Sequence, residues 1–193
     1  MLIARTIQEC VSFRYKINKR VGLVPTMGAL HKGHIALIKQ SLKICDITIV
    51  SIFLNPKQFG ASEDLDSYPI DDLRDLKILN KLNIDCVFMP LKSEIYELDH
   101  SIDIVENKLS KLLEGGSRPN FFSGVITIVS KLFNICNPSD VFFGEKDAQQ
   151  LIIIKKLIKD LNYNIICHAI PTVRSENGLA LSSRNEYFNE SQK

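Results

Sequence analysis

Short hydrophobic runs rich in β-branched residues alternate along the chain with longer segments in which apolar residues recur at helical spacing. This alternation is typical of parallel strands connected by helices, and it predicts an α/β fold. Gly, Pro or Asn follows each of the first four runs within a few residues and introduces a polar loop. The predicted strands are residues 21–24, 47–53, 86–89, 141–143 and 164–170.

The segments between the strands predict helices. Asp71 and Asp72 suit the positive end of a helix dipole and mark the start of one helix. The Gly-rich stretch 115–120 predicts a flexible loop inside the domain. A helix over about 32–45 is predicted from an apolar stripe formed by Ile35, Leu37, Ile38 and Leu42. Further helices are predicted at about residues 106–113, 124–135 and 148–161.

The composition is that of a globular protein. The 193 residues suffice for one well-buried core, and a hydrophobic content of 45% excludes disordered and fibrous classes. The 24 basic residues nearly balance the 22 acidic ones without a long cationic run, so we expect no nucleic-acid partner. No apolar stretch is long enough to span a bilayer, so we expect no membrane association. Five cysteines without a C-x-x-C pair predict buried thiols in a reducing, cytoplasmic compartment.

Residues 25–34, Pro-Thr-Met-Gly-Ala-Leu-His-Lys-Gly-His, are called the histidine loop. The loop follows the first predicted strand and opens a helix whose first turn contains His31 and His34. Spacing of three residues puts both imidazoles on one helix face. A helix N-terminus carries unpaired N–H groups and partial positive charge, so it attracts phosphates. The loop therefore predicts a polyphosphate site to which each histidine donates a hydrogen bond, while Gly33 lets a nucleotide approach the backbone.

Three familiar motifs fail in the histidine loop. Gly28 and Gly33 are spaced as in a P-loop, but His34 and Ile35 stand where the lysine and the hydroxyl residue belong. The dinucleotide pattern G-x-G-x-x-G is absent from the sequence. A helical zinc motif needs histidines four apart with a glutamate between them, whereas His31 and His34 are three apart. The structural alternative is a pair of surface histidines that only cap a helix.

Five blocks of sequence, beginning with the histidine loop, occur in the order found in one enzyme family. The second block is Asn-Pro-Lys-Gln-Phe-Gly (55–60) with Asp-Ser-Tyr-Pro (66–69). The others are Lys-Leu-Phe-Asn (131–134), Phe-Gly-Glu-Lys-Asp-Ala-Gln-Gln (143–150), and Pro-Thr-Val-Arg (171–174) with Ser-Ser-Arg-Asn (182–185). They are spread over nearly the whole chain. The sequence resembles the pantoate-beta-alanine ligase family of the nucleotidylyltransferase superfamily.

The resemblance implies a Rossmann-like parallel sheet of nucleotidylyltransferase type with helices on both faces. It also implies a reaction in two steps. A carboxylate oxygen of pantoate attacks the α-phosphate of ATP to give pantoyl adenylate and pyrophosphate, and β-alanine then displaces AMP to give pantothenate. Mg²⁺ accompanies ATP, with ligands that the sequence leaves unknown. The resemblance further implies a homodimer.

The same resemblance assigns expected roles to residues. The expected catalytic residues are His34, His31 and Lys146, with His34 as proton donor. Gln58 and Gln150 are expected to hold pantoate, Gln58 also to face β-alanine, and Asn55 to be a third substrate residue. Asp147 is the expected acceptor for the ribose hydroxyls. The expected nucleotide-binding residues are Met27, Gly28, Ala29, Leu30, His31, Lys32, Gly33, His34, Gly144, Glu145, Lys146, Asp147, Val173, Leu181, Ser182, Ser183 and Arg184.

Several of these positions also have a purely structural interpretation. Asn55 before Pro56 is typical of a turn after a strand. The acids in residues 145–147 suit a solvated helix start, and residues 182–184 alone are a common kind of polar loop. Lys131 suits the wet face of an amphipathic helix. Packing rather than stacking on adenine is expected of Phe53, Phe59, Phe142 and Phe143.

Departures from the family pattern qualify the prediction. Lys32 stands where the family has Glu, Phe121 where it has a histidine near the pantoate end, and Leu181 where Met is common. The family also carries a smaller lid domain. We expect residues 1–185 to form the nucleotide- and pantoate-binding domain and residues 186–193 to begin a lid that is cut short. Two alternatives stay open: another nucleotidylyltransferase with a different acid, and a lidless nucleotide-binding remnant with little turnover.

Overall fold

The computed structural model describes residues 1–60 and 63–189. These residues form a six-stranded parallel sheet in the order β1-β4-β3-β2-β5-β6. The five predicted strands are confirmed, with ends shifted by no more than two residues. The strands are β1 (Leu2–Ala4), β2 (Val21–Thr26), β3 (Ile47–Ile52), β4 (Cys86–Phe88), β5 (Asp140–Gly144) and β6 (Ile166–Ile170).

Helices connect the strands. Asp71 caps the helix over residues 72–81, because its side chain accepts a hydrogen bond from Arg74 N–H at 2.9 Å. The acidic pair Asp71 and Asp72 predicts this helix start. The helices are α1 (Ile7–Tyr15), α2 (Lys32–Ile44), α3 (Asp72–Lys81), α4 (Lys92–Ile95), α5 (Leu113–Ser117), α6 (Phe121–Cys136) and α7 (Ala148–Asp160). Short 3-10 turns cover Pro56–Gln58, Leu109–Lys111, Glu145–Asp147 and Ser183–Tyr187.

The core has two layers, one on each face of the sheet. Successive strand residues point to opposite faces, so Leu23 joins one layer and Val24 the other. On the first face α1, α6 and α7 pack against the strands, and on the second face α2 and α3 do so. Parallel strands covered on both faces form the expected Rossmann-like arrangement. The predicted burial holds for four of the thiols, Cys10, Cys45, Cys86 and Cys136, whereas Cys167 is half-buried.

The sequence prediction is wrong for most of residues 106–120. A helix over 106–113 does not form, because the Glu106 carboxylate accepts hydrogen bonds from the Ser110 and Lys108 N–H groups and closes a turn instead. Leu113 then adopts a positive φ of 45°, which separates this segment from α5, the helix that begins at Leu113. The predicted loop is also wrong at its start, since α5 extends through Gly115. A Cβ at Gly115 would collide with the carbonyl oxygen of Ser110, so the close turn requires glycine.

The sequence analysis also missed the N-terminal unit, β1 and α1. β1 has only three residues and lies at the edge of the sheet, which leaves little hydrophobic pattern to detect. Helix α1 does carry a signal. Thr6 and Glu9 form a capping box, in which Thr6 Oγ1 accepts from Glu9 N–H and the Glu9 carboxylate accepts from Thr6 N–H. That spacing is visible in the sequence and predicts a helix start.

The expected domain boundary after residue 185 falls inside a continuous element. The 3-10 turn Ser183–Tyr187 crosses it, and Tyr187 OH donates a hydrogen bond to Asp64 at 2.8 Å. Residues 190–193 lie outside the described part of the chain. Among the described residues, no helix has the length and apolar character needed to cross a membrane.

Candidate active site

The main cavity lies where the sheet order changes direction. Along the chain β2 leads to β3 on one side, whereas β5 pairs with the other side of β2 and leads to β6. The loops that leave the carboxyl ends of β2 and β5 therefore diverge and open a crevice, the usual ligand position in such sheets. The predicted site residues that line it are Met27, His31, Gly33, His34, Gln58, Gly144, Lys146, Asp147, Gln150, Val173, Leu181, Ser182, Ser183 and Arg184.

The backbone of the histidine loop is fixed by two distant side chains. Gly28 and Ala29 adopt positive φ angles of 85° and 49°, so the chain turns sharply after β2. Asp75, buried on α3, accepts a hydrogen bond from Leu30 N–H at 2.9 Å. Ser183 Oγ donates to the Ala29 carbonyl at 3.1 Å. The loop is thus tied both to α3 and to the turn at residues 183–187.

The two histidines form a reciprocal cap at the N-terminus of α2. His31 Nδ1 accepts a hydrogen bond from Gly33 N–H at 3.0 Å, and His34 Nδ1 accepts from His31 N–H at 3.3 Å. A backbone N–H can only donate, so both Nδ1 atoms are acceptors. In the neutral imidazole the proton must then be on Nε2. Both rings, with centroids 4.0 Å apart, keep an Nε2–H donor for a ligand.

Burial keeps this histidine pair uncharged. It lowers the pKa of His34 to about 3, with smaller contributions from His31 and from the Lys146 ammonium. Burial also lowers the pKa of His31, again assisted by Lys146. At neutral pH His34 is therefore a neutral hydrogen-bond donor. In the absence of a ligand the ring thus offers Nε2–H as a neutral donor, and the proton-donor role that the family resemblance implies stays a prediction.

Gly33 has a structural role besides the predicted one. It lines the cavity, and its predicted role of leaving room for a nucleotide stays a prediction. A Cβ at Gly33 would lie 2.7 Å from Cε1 and 2.9 Å from Nδ1 of the His31 ring. The glycine is therefore required for His31 to fold over its own helix N-terminus and form the cap.

Cationic side chains stand around the same cavity, each with a carboxylate partner. Lys146 Nζ lies 2.8 Å from Asp147 Oδ1. Arg184 donates two hydrogen bonds to Asp64, at 2.9 and 2.8 Å. Hydrogen bonds from Arg184 hold the pKa of Asp64 well below its usual range, so this carboxylate stays ionised. The cations are positioned before any ligand arrives.

The asparagine turn, residues 55–58, also contributes to the cavity wall. Its Gln58 lines the cavity, whereas Asn55 is buried and does not. Asn55 Nδ2 donates to Gln58 Oε1 at 2.9 Å and to the Gly124 carbonyl at 3.0 Å. Its Oδ1 accepts from Tyr96 OH at 2.9 Å and from Lys57 N–H at 3.3 Å. A Cβ at Gly124 would collide with the carbonyl oxygen of Lys57, so glycine lets α6 approach the turn.

This combination of sheet, histidine cap and asparagine turn can be compared with known proteins. The sequence model of the family described as pantoate-beta-alanine ligase matches residues 2–193. The chain belongs to this family. The expected α/β fold of the family is thereby confirmed.

Relatives of the pantoate-beta-alanine ligase family support the assignment. Pantothenate synthetase of Buchnera aphidicola subsp. Acyrthosiphon pisum (strain Tuc7) is 54% identical over 175 residues, covering 90% of this chain and 61% of that protein. The chain thus spans about 61% of that relative's length. The crystal structure of pantothenate synthetase from Thermus thermophilus has a TM-score of 0.96 at 40% identity, covering 99% of this chain and 69% of that one.

A third comparison adds ligands on the relative's side. Pantoate-beta-alanine ligase from Francisella tularensis has a TM-score of 0.95 at 42% identity, covering 99% of this chain and 74% of that one. Its crystal structure is of a complex with beta-gamma ATP and β-alanine.

Some residues predicted for the site do not line the cavity. Lys32 and Glu145 are exposed and do not line the cavity. Gly28 and Ala29 shape the loop through their backbone, and the Leu30 side chain is buried in the core. Asn55 acts on Gln58 and not on the cavity, because all four of its amide hydrogen bonds are made within the protein.

The sequence analysis missed part of the cavity wall. Arg118 lines it, donates two hydrogen bonds to Glu63 at 2.8 and 2.5 Å, and lies 3.7 Å from the centre of the Phe121 ring. Tyr68 also lines the cavity and packs edge-on against Phe59. Tyr68 lies in the family block 66–69, and Arg118 lies three residues before Phe121, which departs from the family pattern. That comparison was the available signal, since neither side chain stands out by composition.

No group of three or more His, Cys, Asp or Glu side chains with metal-binding geometry occurs among the described residues. Mg²⁺ in nucleotide enzymes is commonly held by one or two carboxylates together with the phosphates. Of the carboxylates that line the described cavity, Asp147 is already paired with Lys146 and Glu114 with Arg118. The protein ligands of a metal ion therefore stay unassigned.

Proposed function

We propose that the chain activates pantoate with ATP. A carboxylate oxygen of pantoate forms a bond to the α-phosphorus, the bond to the β-phosphate oxygen breaks, and pyrophosphate leaves with the electron pair. The amine of β-alanine then attacks the acyl carbon, AMP leaves, and the amine proton is released to solvent. The main support for this proposal is that the Nε2–H donors of His31 and His34 and the side-chain amide of Gln58 line the same cavity.

The histidine end suits the triphosphate. Neutral Nε2–H donors at the N-terminus of α2 offer hydrogen bonds and a favourable dipole without repelling the nearby cations. Lys146, Arg184, Ser182 and Ser183 line the same region and would neutralise or bind phosphate oxygens. Asp147, with Gly144 and Val173, would contact the nucleoside. Because nucleotidyl transfer needs orientation and charge stabilisation more than covalent help, these groups suffice for catalysis.

The asparagine end suits the acid. Gln58 and Gln150 are neutral amides, so they can bind a carboxylate and hydroxyls without competing for the cations that hold the phosphates. An apolar wall beside them, formed by Phe53, Val125 and Val129, matches the hydrocarbon part of pantoate. The complex of the Francisella relative with beta-gamma ATP and β-alanine supports this choice of substrates.

We also propose the remaining properties implied by the family. Mg²⁺ would arrive with ATP and neutralise charge on its phosphates, held chiefly by the phosphate oxygens. The chain would act as a homodimer in the cytoplasm. No nucleic-acid or membrane partner is proposed.

The proposal is tested by AMP release from ATP, Mg²⁺, pantoate and β-alanine, with each component omitted in turn. We expect AMP only when all are present. AMP that forms equally well without β-alanine would contradict the two-step ligase reaction.

Exchange of labelled pyrophosphate into ATP tests the first step alone. Exchange that needs pantoate supports the proposal. Exchange that needs another acid would indicate a different nucleotidylyltransferase, and nucleotide binding without any exchange would indicate a binding remnant with little turnover.

A further inference from the structure

A hydrogen-bond chain runs from outside the cavity to its wall. Tyr96, directly after α4, donates through its hydroxyl to Asn55 Oδ1 at 2.9 Å. Asn55 Nδ2 then donates to Gln58 Oε1 at 2.9 Å. Gln58 lines the cavity, and Tyr96 does not. The tyrosine can therefore influence a ligand only through the two amides.

The backbone determines the orientation of the first amide. Lys57 N–H can only donate, and it lies 3.3 Å from Asn55 Oδ1. The Gly124 carbonyl can only accept, and it lies 3.0 Å from Asn55 Nδ2. A flipped Asn55 amide would set donor against donor and acceptor against acceptor at these two contacts. Nδ2 must therefore face Gln58, and Gln58 must present Oε1 to it.

The same logic defines the state of Tyr96. Because Asn55 Oδ1 only accepts, the tyrosine hydroxyl must donate its proton to it. Burial raises the pKa of Tyr96 well above its usual range, assisted by the Asp103 carboxylate, so the hydroxyl keeps that proton. His100 packs edge-on against the ring at 4.9 Å, and the Lys57 ammonium lies 5.0 Å from its centre. These contacts hold the donor in place.

Resting on the proposed function, we infer that Tyr96 is a positioning residue for pantoate. Its hydroxyl reinforces the Asn55 orientation that the backbone sets, and through Asn55 it holds the Gln58 amide with Nε2 toward the cavity. Among the described residues nothing accepts a hydrogen bond from Gln58 Nε2, so both of its hydrogens are available. Gln58 thus offers the substrate N–H donors, which suit the carboxylate and hydroxyl oxygens of a hydroxy acid. A ligand with an amide or ammonium N–H at this point is disfavoured.

The test uses Tyr96→Phe, which removes one oxygen and keeps the ring that packs 6.1 Å from Phe53. Pantoate-dependent exchange of pyrophosphate into ATP gives KM for pantoate and for ATP separately. We expect KM for pantoate to rise about three- to tenfold, the loss of one oriented hydrogen bond, with KM for ATP unchanged within about twofold. The matched control is Tyr163→Phe, a half-buried tyrosine on Phe133, and it should change neither constant.

A double mutant distinguishes positioning from general loosening of the fold. If Tyr96 acts through Gln58, the effect of Tyr96→Phe on KM for pantoate should disappear in a Gln58→Ala background. An effect of the same size in that background contradicts the inference, and so does an equal rise of both KM values.

The wild-type chain shows which statement fails. Without pantoate-dependent exchange in the wild type, the proposed function is overturned and the role of Tyr96 with it. With normal exchange in the wild type and an unchanged KM for pantoate in Tyr96→Phe, only the role of Tyr96 is overturned.

Discussion

The histidine loop and the asparagine turn face the same cavity, but they are held in place differently. The donors of the histidine loop are set by a cap within four residues, His31 to His34. The amide of the asparagine turn is set by partners far away in sequence, Tyr96 and Gly124. Changes of the two histidines should therefore alter chemistry with little effect on stability, whereas changes of the amide of the asparagine turn should alter both.

The largest effect is expected for His34→Ala. It removes an Nε2–H donor from the cavity, and the loss of one fixed donor to a developing charge typically reduces rates by about 10²–10³-fold. Pantoate-dependent pyrophosphate exchange measures the loss. The matched variant His34→Asn keeps an acceptor for His31 N–H but lacks the distant donor. It should lose as much activity as His34→Ala, so high activity in His34→Asn would show that the cap matters more than the donor.

Asn55→Ala should show the opposite balance. It leaves the Lys57 N–H, the Gly124 carbonyl and the Tyr96 hydroxyl without a partner in a buried turn. We expect a loss of about 2–4 kcal/mol in the free energy of unfolding, measured with urea. The exposed Asn80→Ala should stay within about 0.5 kcal/mol of the wild type. Equal stabilities of Asn55→Ala and Asn80→Ala would contradict the expectation that the asparagine turn stabilises the fold.

Asp75 provides the one long-range anchor of the histidine loop that carries a charge. Asp75→Ala leaves Leu30 N–H without its partner, and we expect it to destabilise the fold by about 1–3 kcal/mol. Asp75→Asn keeps an acceptor and removes the charge, so it should cost less. Urea unfolding of the two variants compares these losses directly.

The pH dependence gives a second measurement at Asp75. Burial raises the pKa of this carboxyl, so ionisation is disfavoured in the folded state. The favourable contribution is therefore complete below the pKa of the unfolded chain and is lost as the pH rises through the raised folded pKa. Relative to Asp75→Asn, the wild type should lose stability as the pH rises from about 4 toward neutrality. A difference that is constant with pH would contradict this assignment.

The smallest effect is expected for Lys32→Glu. Lys32 is exposed at the first position of α2 and does not line the cavity. A glutamate there suits the helix dipole and should stabilise the fold by about 0.5 kcal/mol, measurable by thermal unfolding. KM for ATP should change by less than about threefold, because an exposed charge outside the cavity lining is screened by solvent and salt. A larger change in KM for ATP would show that Lys32 does contribute to nucleotide binding.

The same division explains what the sequence could predict. Five of the six strands and the helix after the histidine loop follow from local hydrophobic spacing, and the pairing of His31 with His34 follows from their closeness in sequence. Local patterns failed at residues 106–120, where the Glu106 carboxylate and a left-handed Leu113 override helical spacing. Both departures depend on hydrogen bonds and backbone angles that composition does not encode.

In the candidate active site, which residues take part was easier to predict from the sequence than what each residue does. The resemblance identified Asn55, but only the structure shows its contacts with Tyr96 and Gly124, which are 41 and 69 residues away. It identified His34, but only the structure shows that the ring is buried, neutral without a ligand, and fixed by the His31 N–H hydrogen bond. Burial and long-range contact decide protonation and orientation, and neither is visible in a single sequence.

Gly124 shows how far the asparagine turn constrains change over evolutionary time. Glycine inside a helix costs about 1 kcal/mol relative to alanine, so a lineage would gain stability by replacing it if space allowed. Here even a methyl group meets the Lys57 carbonyl. We expect selection to keep glycine at position 124, and to keep it as strongly as it keeps a side chain that touches the substrate.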